Sequence, residues 1–323
     1  MKSFKHVSAK TVKEAVRLLK NYEGRAKLNA GGTDLLGILK DKILPDYPET
    51  IINIKTIPNL DYISEDDSGI KIGPLAKLED IAYSALVREN YKILAEAAAA
   101  VATPQIRGMG TIGGNLCQDV RCWYYRYPHH AGRRIICRRK GKGPCYAVKG
   151  ENRYNAIMGA EKCFAVSPSD TATALSSLDA RIKIDGTEGA RVIPVNDFFT
   201  PMGNVLKEDE MVSEVRIPMP PANSRQNFIK FTERRPVDFA VVSVASVITV
   251  REMVCVDARI ALGGVAPTPI RAAEAERILI GRPLNEKNAE EAADIAVSGA
   301  KPLSKNAYKI EITRTLIKRS ILL

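Results

Sequence analysis

The sequence has only three histidines and no long apolar run, and both shortages restrict what the protein can do. No apolar stretch among its 323 residues approaches the roughly 18 residues that a membrane-spanning helix needs. The first residues, MKSFKHVSAK, also lack the apolar segment of a secretory signal. We therefore expect a cytoplasmic protein with no membrane partner, although export together with a partner that carries its own signal stays open.

The three histidines are His6, His129 and His130, and they form no Ser-His-Asp or Cys-His arrangement. Nucleophilic catalysis is therefore not expected. His129 and His130 are adjacent and could ligate zinc, but a histidine pair on a polar loop is more often simply solvated. The phosphate-binding signature G-x-x-x-x-G-K-[ST] is absent as well.

Two pairs of adjacent glycines are candidates for phosphate-binding turns, one in AGGTDLL (residues 30–36) and one in GTIGGNL (residues 110–116). Glycine has no Cβ and adopts positive φ at little cost, so backbone amides at such turns can approach a phosphate closely. The side chains of Thr33, Thr111 and Asn115 would add donors. A single pair of glycines is more often an ordinary tight turn, so the two turns make a dinucleotide cofactor possible and no more.

The formal net charge of +11 is concentrated in one segment, because residues 118–162 contain eleven Arg and Lys against three Asp and Glu. A local positive field of this kind could dock an acidic protein, offset the charge of a thiolate-ligated cluster or hold an anionic ligand. RNA binding is the competing interpretation, since aromatic side chains that could stack on bases lie among the arginines. These are Trp123, Tyr124, Tyr125 and Tyr127.

Five of the six cysteines lie between residues 117 and 163. Cys122, Cys137, Cys145 and Cys163 are separated by fourteen, seven and seventeen residues, which matches neither a zinc ribbon nor the tight cysteine run of a bacterial ferredoxin. Cytosolic proteins rarely keep structural disulfides, so a metal or cluster site is favoured over unligated thiols and over crosslinks. Cys255, in the apolar stretch VCVDARI, is expected to be a small core residue.

Hydrophobic periodicity predicts a chain of alternating short helices and strands. Residues 12–22 have the pattern of an amphipathic helix with Thr11 as its cap, and the alanine-rich run 78–101 is predicted to be helical. The proline-rich stretch PMPPANSR (218–225) is predicted to end the first part of the chain. A chain of this length is expected to form two or three domains.

Five motifs in a fixed order resemble a known flavoprotein family. They are AGGTDLL near residue 30, ATPQIRGMGTIGGNLCQ near 110, CFAVSPSD near 165, KFTERRPVDFAVVSVA near 235 and ALGGVAPTPIRA near 265. Each motif alone is weak, but together they extend over nearly the whole chain in the family's order. On these motifs the chain resembles the FAD-binding medium subunit of the molybdenum hydroxylase, or xanthine dehydrogenase, family.

The resemblance implies a fold of the α+β class. A two-part FAD-binding domain of the vanillyl-alcohol-oxidase (PCMH) type would be followed by an α+β domain like the C-terminal domain of CO dehydrogenase flavoproteins. The expected limits are 1–56 and 57–220 for the two FAD-binding parts, with an insert at about 118–163, and 221–323 for the C-terminal domain.

The resemblance also implies which residues bind FAD. The pyrophosphate is expected against the two glycine turns, Asp170 on the adenosine side, and Lys230 with residues 238–240 near the isoalloxazine, where a cation could stabilise reduced flavin. The expected FAD-binding residues are Leu28, Asn29, Ala30, Gly31, Gly32, Thr33, Asp34, Leu35, Thr103, Gly110, Thr111, Gly113, Gly114, Asn115, Asp170 and Lys230.

An insert of about forty residues separates GGNLC from the CFAVSPSD motif, whereas most family members continue almost directly. The insert resembles that of a subgroup with an additional [4Fe–4S] cluster, which includes 4-hydroxybenzoyl-CoA reductase and certain bacterial aldehyde oxidoreductases. By this resemblance the cluster ligands are expected to be Cys122, Cys137, Cys145 and Cys163, with Cys117 left over beside the FAD turn.

The function implied is that of an oxidoreductase subunit that carries FAD and a [4Fe–4S] cluster and does not itself transform the organic substrate. The expected partners are a molybdopterin-binding large subunit and a [2Fe–2S] small subunit in a heterotrimer or its dimer, with a ferredoxin-like protein or NAD(P) as external electron carrier. Two alternatives stay open: hydride exchange with NAD(P) beside a purely structural insert, and a zinc-stabilised basic module that binds RNA.

Overall fold

The computed structural model describes residues 1–128, 135–234 and 237–323, so His129 and His130 lie outside the described residues. The first elements are β1 (Lys5–Ser8), α1 (Val12–Tyr22), β2 (Ala26–Asn29), α2 (Leu35–Lys40) and β3 (Thr50–Asn53). Strand β3 lies between β1 and β2 and pairs in parallel with both. Both faces of β3 are buried, which explains its continuous apolar and β-branched sequence.

Helix α1 begins where the local sequence predicts. The side chain of Thr11 accepts a hydrogen bond from the backbone N–H of Glu14, as a helix N-cap does, and the residue after the helix, Glu23, has a φ of 47°. The apolar face of the helix is buried against the parallel sheet through Ala15, Val16 and Leu19. The predicted helix over residues 12–22 and its Thr11 cap are confirmed.

A five-stranded antiparallel sheet forms the second part of the fold. This part of the chain contains seven strands, of which five form the sheet. They are β4 (Ile63–Asp66), β5 (Gly69–Ile72), β6 (Arg181–Gly186), β7 (Gly189–Pro194), β8 (Phe199–Thr200), β9 (Gly203–Asn204) and β10 (Met211–Ile217). The order in the sheet is β4-β5-β10-β6-β7, while β8 and β9 form a separate pair. Strand β10 therefore joins segments from before and after the insert.

Eight short helices of the described residues lie between β5 and β8 in the chain. They are α3 (Leu78–Tyr83), α4 (Ala85–Asn90), α5 (Lys92–Ala99), α6 (Pro104–Arg107), α7 (Ile112–Leu116), α8 (Trp123–Arg126), α9 (Asp170–Ser177) and α10 (Val195–Phe198). The run 78–101, predicted to be helical, is divided into α3, α4 and α5. The first break occurs because Ser84 leaves helical geometry and its hydroxyl caps the N–H of Val87.

The described part of the insert contains α8 and two 3₁₀ turns, Arg138–Lys140 and Tyr146–Val148. It packs against α2 and the loop that follows it through a small apolar cluster. The buried members of this cluster are Ile38, Ile43, Val120, Tyr125, Cys137, Cys163 and Ala165. The insert is therefore fixed against the segment that follows the first glycine turn.

The C-terminal part contains a four-stranded antiparallel sheet whose strands lie in the order β11-β12-β13-β14. Three helices of the described residues accompany it. Its elements are β11 (Ser224–Phe231), β12 (Val242–Arg251), β13 (Val254–Gly263), β14 (Ile270–Arg271), α11 (Ala273–Leu279), α12 (Glu286–Val297) and α13 (Tyr308–Leu322). Helix α9 packs against β12 and β13 and so connects this part to the rest. Cys255 is fully buried in its core, which confirms the prediction. Within the described ranges, no helix is both long and apolar enough to cross a bilayer.

Candidate functional site

Both glycine turns line one cleft of about 460 Å³. Most of the residues expected to bind FAD lie on its wall. They are Leu28, Asn29, Ala30, Gly31, Gly32, Thr33, Asp34, Leu35, Thr111, Gly113 and Gly114. Strand β2 ends at Asn29, directly before the first turn, and α7 begins within the second turn. Residues from both places therefore line the same cleft.

The first glycine turn presents unused polar atoms. The backbone N–H groups of residues 31–34 donate no hydrogen bond to any part of the chain that the structure describes. The side-chain oxygen Oδ1 of Asn29 is buried and likewise has no partner among the described residues. A buried polar atom without a partner is costly. The free N–H groups fit an anionic ligand such as a pyrophosphate, whereas the side-chain oxygen of Asn29 can only accept and fits a ligand donor such as a hydroxyl.

The two turns approach each other so closely that position 31 has no room for a side chain. A Cβ on Gly31 would overlap the carbonyl oxygen of Met109 and would lie 2.9 Å from its carbonyl carbon and 3.0 Å from the Cα of Gly110. Gly32 has a φ of 73°, which favours glycine. The glycines of this turn are therefore required by geometry and are not replaceable loop residues.

The second glycine turn differs from the first, because its amides are already bonded. The N–H of Gly113 donates to the carbonyl of Pro74 at 3.0 Å, and the N–H of Gly114 donates to the hydroxyl of Thr111 at 3.2 Å. A Cβ on Gly113 would lie 2.9 Å from Pro74. This turn therefore determines the shape of the cleft, and the first turn supplies the free donors.

The remaining residues expected to bind FAD form a network behind the cleft. Asn115 Oδ1 accepts hydrogen bonds from the hydroxyls of Ser169 and Thr171, at 2.5 and 2.7 Å. Asp170, which lies between Ser169 and Thr171 and is the first residue of α9, forms a 2.7 Å ion pair with Lys230. The side chain of Asp170 is 5% exposed and that of Lys230 is 9% exposed. The network connects the second glycine turn with the N-terminus of α9 and with β11.

The Asp170–Lys230 ion pair joins two of the residues expected to bind FAD. The carboxylate is expected on the adenosine side of FAD and the ammonium near the isoalloxazine, and the two groups are in direct contact. Both placements stay predictions. Burial raises the pKa of the Asp170 carboxyl, and the Lys230 ammonium opposes that effect.

Lys230 also connects the network to the loop before α6. Its ammonium donates to the carbonyl of Ala100 at 2.8 Å. Ala102 in this loop has a φ of 44°, and the hydroxyl of Thr103 accepts from the N–H of Ile106 as the cap of α6. Gly110 follows α6, at the start of the second glycine turn. A Cβ on Gly110 would lie 3.6 Å from Thr33 Oγ1 of the first turn. The expected residues Thr103 and Gly110 thus lie on the loop that joins the ion pair to the turns.

The four cysteines of the insert line one small cavity, although they are far apart in sequence. Cys137 and Cys163 are buried, and none of the four is in a disulfide. Burial raises the pKa of the Cys122 thiol, and the neighbouring thiols of Cys163 and Cys145 raise it further. Arg138 and Arg139 also line this cavity.

Among the described residues, no three Cys, His, Asp or Glu side chains are close enough to hold a single metal ion. A [4Fe–4S] cluster makes a different demand, because each of its four irons takes one thiolate and the four sulfurs stand farther apart than the ligands of one ion. Four unpaired thiols around one cavity fit that donor set.

Sequence reasoning missed the contact between the insert and the first glycine turn. Asp34, which follows that turn, forms ion pairs with Arg121 and Arg126 of the insert. The guanidinium of Arg121 also lies 4.7 Å from the centre of the Phe239 ring in the C-terminal part. Only the high density of arginine in the insert hinted at such contacts, and it did not indicate their partner.

Cys117 and residues 238–240 complete the surroundings of the site. Cys117 is exposed and lies on the wall of the cleft. Residues 238–240, expected near the isoalloxazine, line another cavity of about 370 Å³ together with Cys122, Trp123 and Tyr154. This cavity lies between the insert and the C-terminal part.

Comparison with known proteins identifies the family. Residues 2–220 match the family described as the FAD binding domain in molybdopterin dehydrogenase, and residues 227–323 match the CO dehydrogenase flavoprotein C-terminal domain. The chain belongs to the FAD-binding medium subunits of the molybdenum hydroxylase family. It is therefore an oxidoreductase subunit that binds FAD, and the expected fold class is confirmed.

Relatives of this family match almost the full chain. The aldehyde oxidoreductase FAD-binding subunit of Escherichia coli (strain K12) is 33% identical over 97% of this chain and 96% of the relative. The nicotinate dehydrogenase FAD-subunit of Eubacterium barkeri is 29% identical over 90% of this chain and 84% of the relative. The solved structure of a carbon monoxide dehydrogenase from Hydrogenophaga pseudoflava that lacks the Mo-pyranopterin moiety has a TM-score of 0.79 to this chain. The match covers 98% of this chain and 96% of the solved chain, at 27% sequence identity. The likeness thus includes both the FAD-binding and C-terminal parts.

Proposed function

We propose that this chain is the FAD and [4Fe–4S] electron-transfer subunit of a heterotrimeric molybdenum enzyme. A molybdopterin-binding large subunit and a [2Fe–2S] small subunit would be its partners, and an external carrier such as a ferredoxin would exchange electrons with the complex. The names of its relatives support a multisubunit enzyme, since they are called FAD subunits and medium chains. The organic substrate would be transformed on the large subunit.

The first glycine turn supports the assignment of FAD to the large cleft. Its free N–H groups at residues 31–34 would donate to the pyrophosphate, and the unpartnered oxygen of Asn29 would accept from a hydroxyl of the cofactor. When bound, FAD supplies the conversion between one-electron and two-electron transfer. The residues of this chain bind and orient it. Of the expected FAD-binding residues, those of the first turn carry this assignment, and the network around Asp170 and Lys230 is proposed to support the cleft from behind.

The single observation that carries the cluster assignment is the convergence of Cys122, Cys137, Cys145 and Cys163 on one cavity. Unligated thiols have no reason to gather from four separate positions of an irregular loop. The arginines in the cavity wall would offset the negative charge that four thiolates bring. Cys122 also lies on the wall of the cavity that contains residues 238–240, so cluster and flavin would occupy neighbouring parts of the protein.

The charge of the insert supports an acidic protein as the external carrier. Residues 118–162 have a net charge of +8, with eleven Arg and Lys against three Asp and Glu. Complementary charge accelerates association and orients the partners on encounter. The alternative of hydride exchange with NAD(P) predicts instead that NADH reduces the flavin. The RNA-binding alternative loses its support because the chain belongs to a flavoprotein family.

Replacement of one cysteine tests the cluster. In Cys137→Ser we expect iron and the broad visible absorption of the cluster to be lost, while FAD supplied at saturation stays bound, since Cys137 is not on the wall of the large cleft. The matched control is Cys255→Ser, which lies in the C-terminal core and keeps a hydrogen bond to the carbonyl of Asp257. Loss of FAD with retention of iron in Cys137→Ser would contradict the assignment.

A reduction experiment distinguishes the carriers. The purified complex is mixed anaerobically with reduced ferredoxin or with NADH, and flavin bleaching is followed. We expect reduction by ferredoxin, slowed by added salt because the encounter is electrostatic. Rapid reduction by NADH with no response to ferredoxin would instead favour hydride exchange.

A further inference from the structure

One carboxylate joins the first glycine turn to the cysteine-bearing insert. Asp34 Oδ1 lies 2.7 Å from Arg126 Nη2 and 3.0 Å from Arg121 Nη2, and Asp34 Oδ2 accepts a hydrogen bond from the N–H of Asp119 at 2.8 Å. The side chains of Asp34 and Arg126 are only 17% and 18% exposed. Partial burial shields these contacts from water, so they are stronger than exposed ion pairs of the same length.

The insert segment that provides these partners, residues 119–126, is braced internally. The Nε of Arg126 donates to the carbonyl of Val120 at 2.8 Å, and its Nη2 donates to the carbonyl of Asp119 at 3.0 Å. The hydroxyl of Tyr125 donates to the side chain of Asp119. Cys122 lies in the middle of this braced segment, between the two arginines that pair with Asp34, so the position of its sulfur is tied to theirs.

On the other side of the contact, Asp34 belongs to the turn whose N–H groups at residues 31–34 are free to bind a ligand. A turn held in one geometry binds more tightly than a turn that must be ordered on binding. A cluster that fixes Cys122 would thereby fix the turn, and a ligand that fixes the turn would stabilise the segment around Cys122. Such coupling is reciprocal by thermodynamic necessity.

We propose that the Asp34–Arg126 contact couples the cysteine cavity to the first glycine turn, so that FAD and the cluster bind cooperatively. Arg126 is a positioning residue in this scheme, because it acts on the turn through Asp34. The inference rests on the proposed function, since it requires both groups on this chain.

The test compares FAD affinity in two forms of the full-length protein. The dissociation constant of FAD is measured by fluorescence titration on anaerobically purified protein with its cluster, and again after the iron is removed. Wild-type protein with the cluster is expected to bind FAD at least about five-fold more tightly than protein without it. In Arg126→Gln the ratio of the two constants should fall clearly below the wild-type value, because only the contacts of Asp34 with Arg121 and with the N–H of Asp119 remain.

The matched control is Arg25→Gln, which removes an exposed ion pair with Glu49 whose side chains are 52% and 55% exposed. This variant should keep the wild-type ratio. A second measurement needs no variant: FAD should slow the loss of iron to a chelator in the wild-type protein, by the reciprocity of the coupling.

The outcomes separate this inference from the proposed function. Equal FAD affinities with and without an intact cluster would overturn the coupling, while the finding of both groups on the chain would leave the proposed function standing. An unchanged ratio in Arg126→Gln would likewise overturn the role given to Arg126. Protein that never contains iron would refute the proposed function itself, and the coupling with it.

Discussion

Gly31→Ala is the most direct test of the first glycine turn. The added Cβ would overlap the carbonyl oxygen of Met109 and approach its carbonyl carbon to 2.9 Å. Both are backbone atoms, so no side-chain rotation can relieve the overlap. Since carbon atoms in contact prefer about 3.5–4.0 Å, the two glycine turns must move apart by about 1 Å.

A displacement of this size is large compared with the tolerance of a hydrogen bond. Useful N–H to oxygen distances range over only about 0.5 Å, so an amide of the first turn that moves by about 1 Å loses its bond to the pyrophosphate. A hydrogen bond to a charged group contributes about 1.5–3 kcal/mol. We therefore expect FAD affinity to fall by at least about ten-fold, because each 1.4 kcal/mol corresponds to about ten-fold in the dissociation constant.

Gly37→Ala is the matched control, six residues along the chain in α2. A Cβ at Gly37 would meet no atom within 4 Å, so the substitution should leave FAD binding unchanged and should stabilise the helix slightly. FAD content after purification, FAD titration and thermal unfolding are measured on both variants. Equal FAD affinities in Gly31→Ala and wild type, or an equal loss in Gly37→Ala, would refute the reasoning.

Two buried charges give further predictions. Lys230→Met leaves the buried carboxylate of Asp170 uncompensated and should lower the free energy of unfolding by about 3–5 kcal/mol. In the double variant Lys230→Met/Asp170→Asn, part of this loss should be recovered. Equal stability of the single and double variants in denaturant unfolding would contradict the reasoning. Burial lowers the pKa of Lys309 to about 7, so the unfolded chain binds more protons above that pH and stability should rise by about 2 kcal/mol from pH 7 to 9. Lys309→Met should remove this difference, and an unchanged pH dependence in urea titrations would count against it.

Local chemistry made several features predictable from the sequence. The Thr11 cap and the apolar face of the helix after it depend on neighbouring residues, and they were found where the pattern placed them. The buried position of Cys255 followed from an apolar strand in the same way. The run 78–101 was less clear because Ser84 can either continue a helix or cap the next one, and its hydroxyl bonds to a backbone N–H three residues later.

The FAD site was predicted through the order of motifs, and its internal contacts were not. Nothing in the sequence indicated that the amides of the second turn would be bonded to Pro74 and Thr111 while those of the first turn stay free. The direct contact between Asp170 and Lys230 joins positions sixty residues apart, and the sequence did not indicate it. Side-chain partners at such distances along the chain carry no periodic signal.

The order of elements, the two glycine turns and the concentration of cysteine and arginine in one segment follow from the amino-acid sequence, because each depends on composition or on residues within a few positions. Packing alone brings Gly31 against Met109, Asp34 against Arg126 and four distant thiols to one cavity. These contacts depend on how strands and loops from separate parts of the chain fold onto one another. The cleft and the cysteine cavity are therefore properties of the folded chain, assembled from residues whose spacing in sequence has no fixed period.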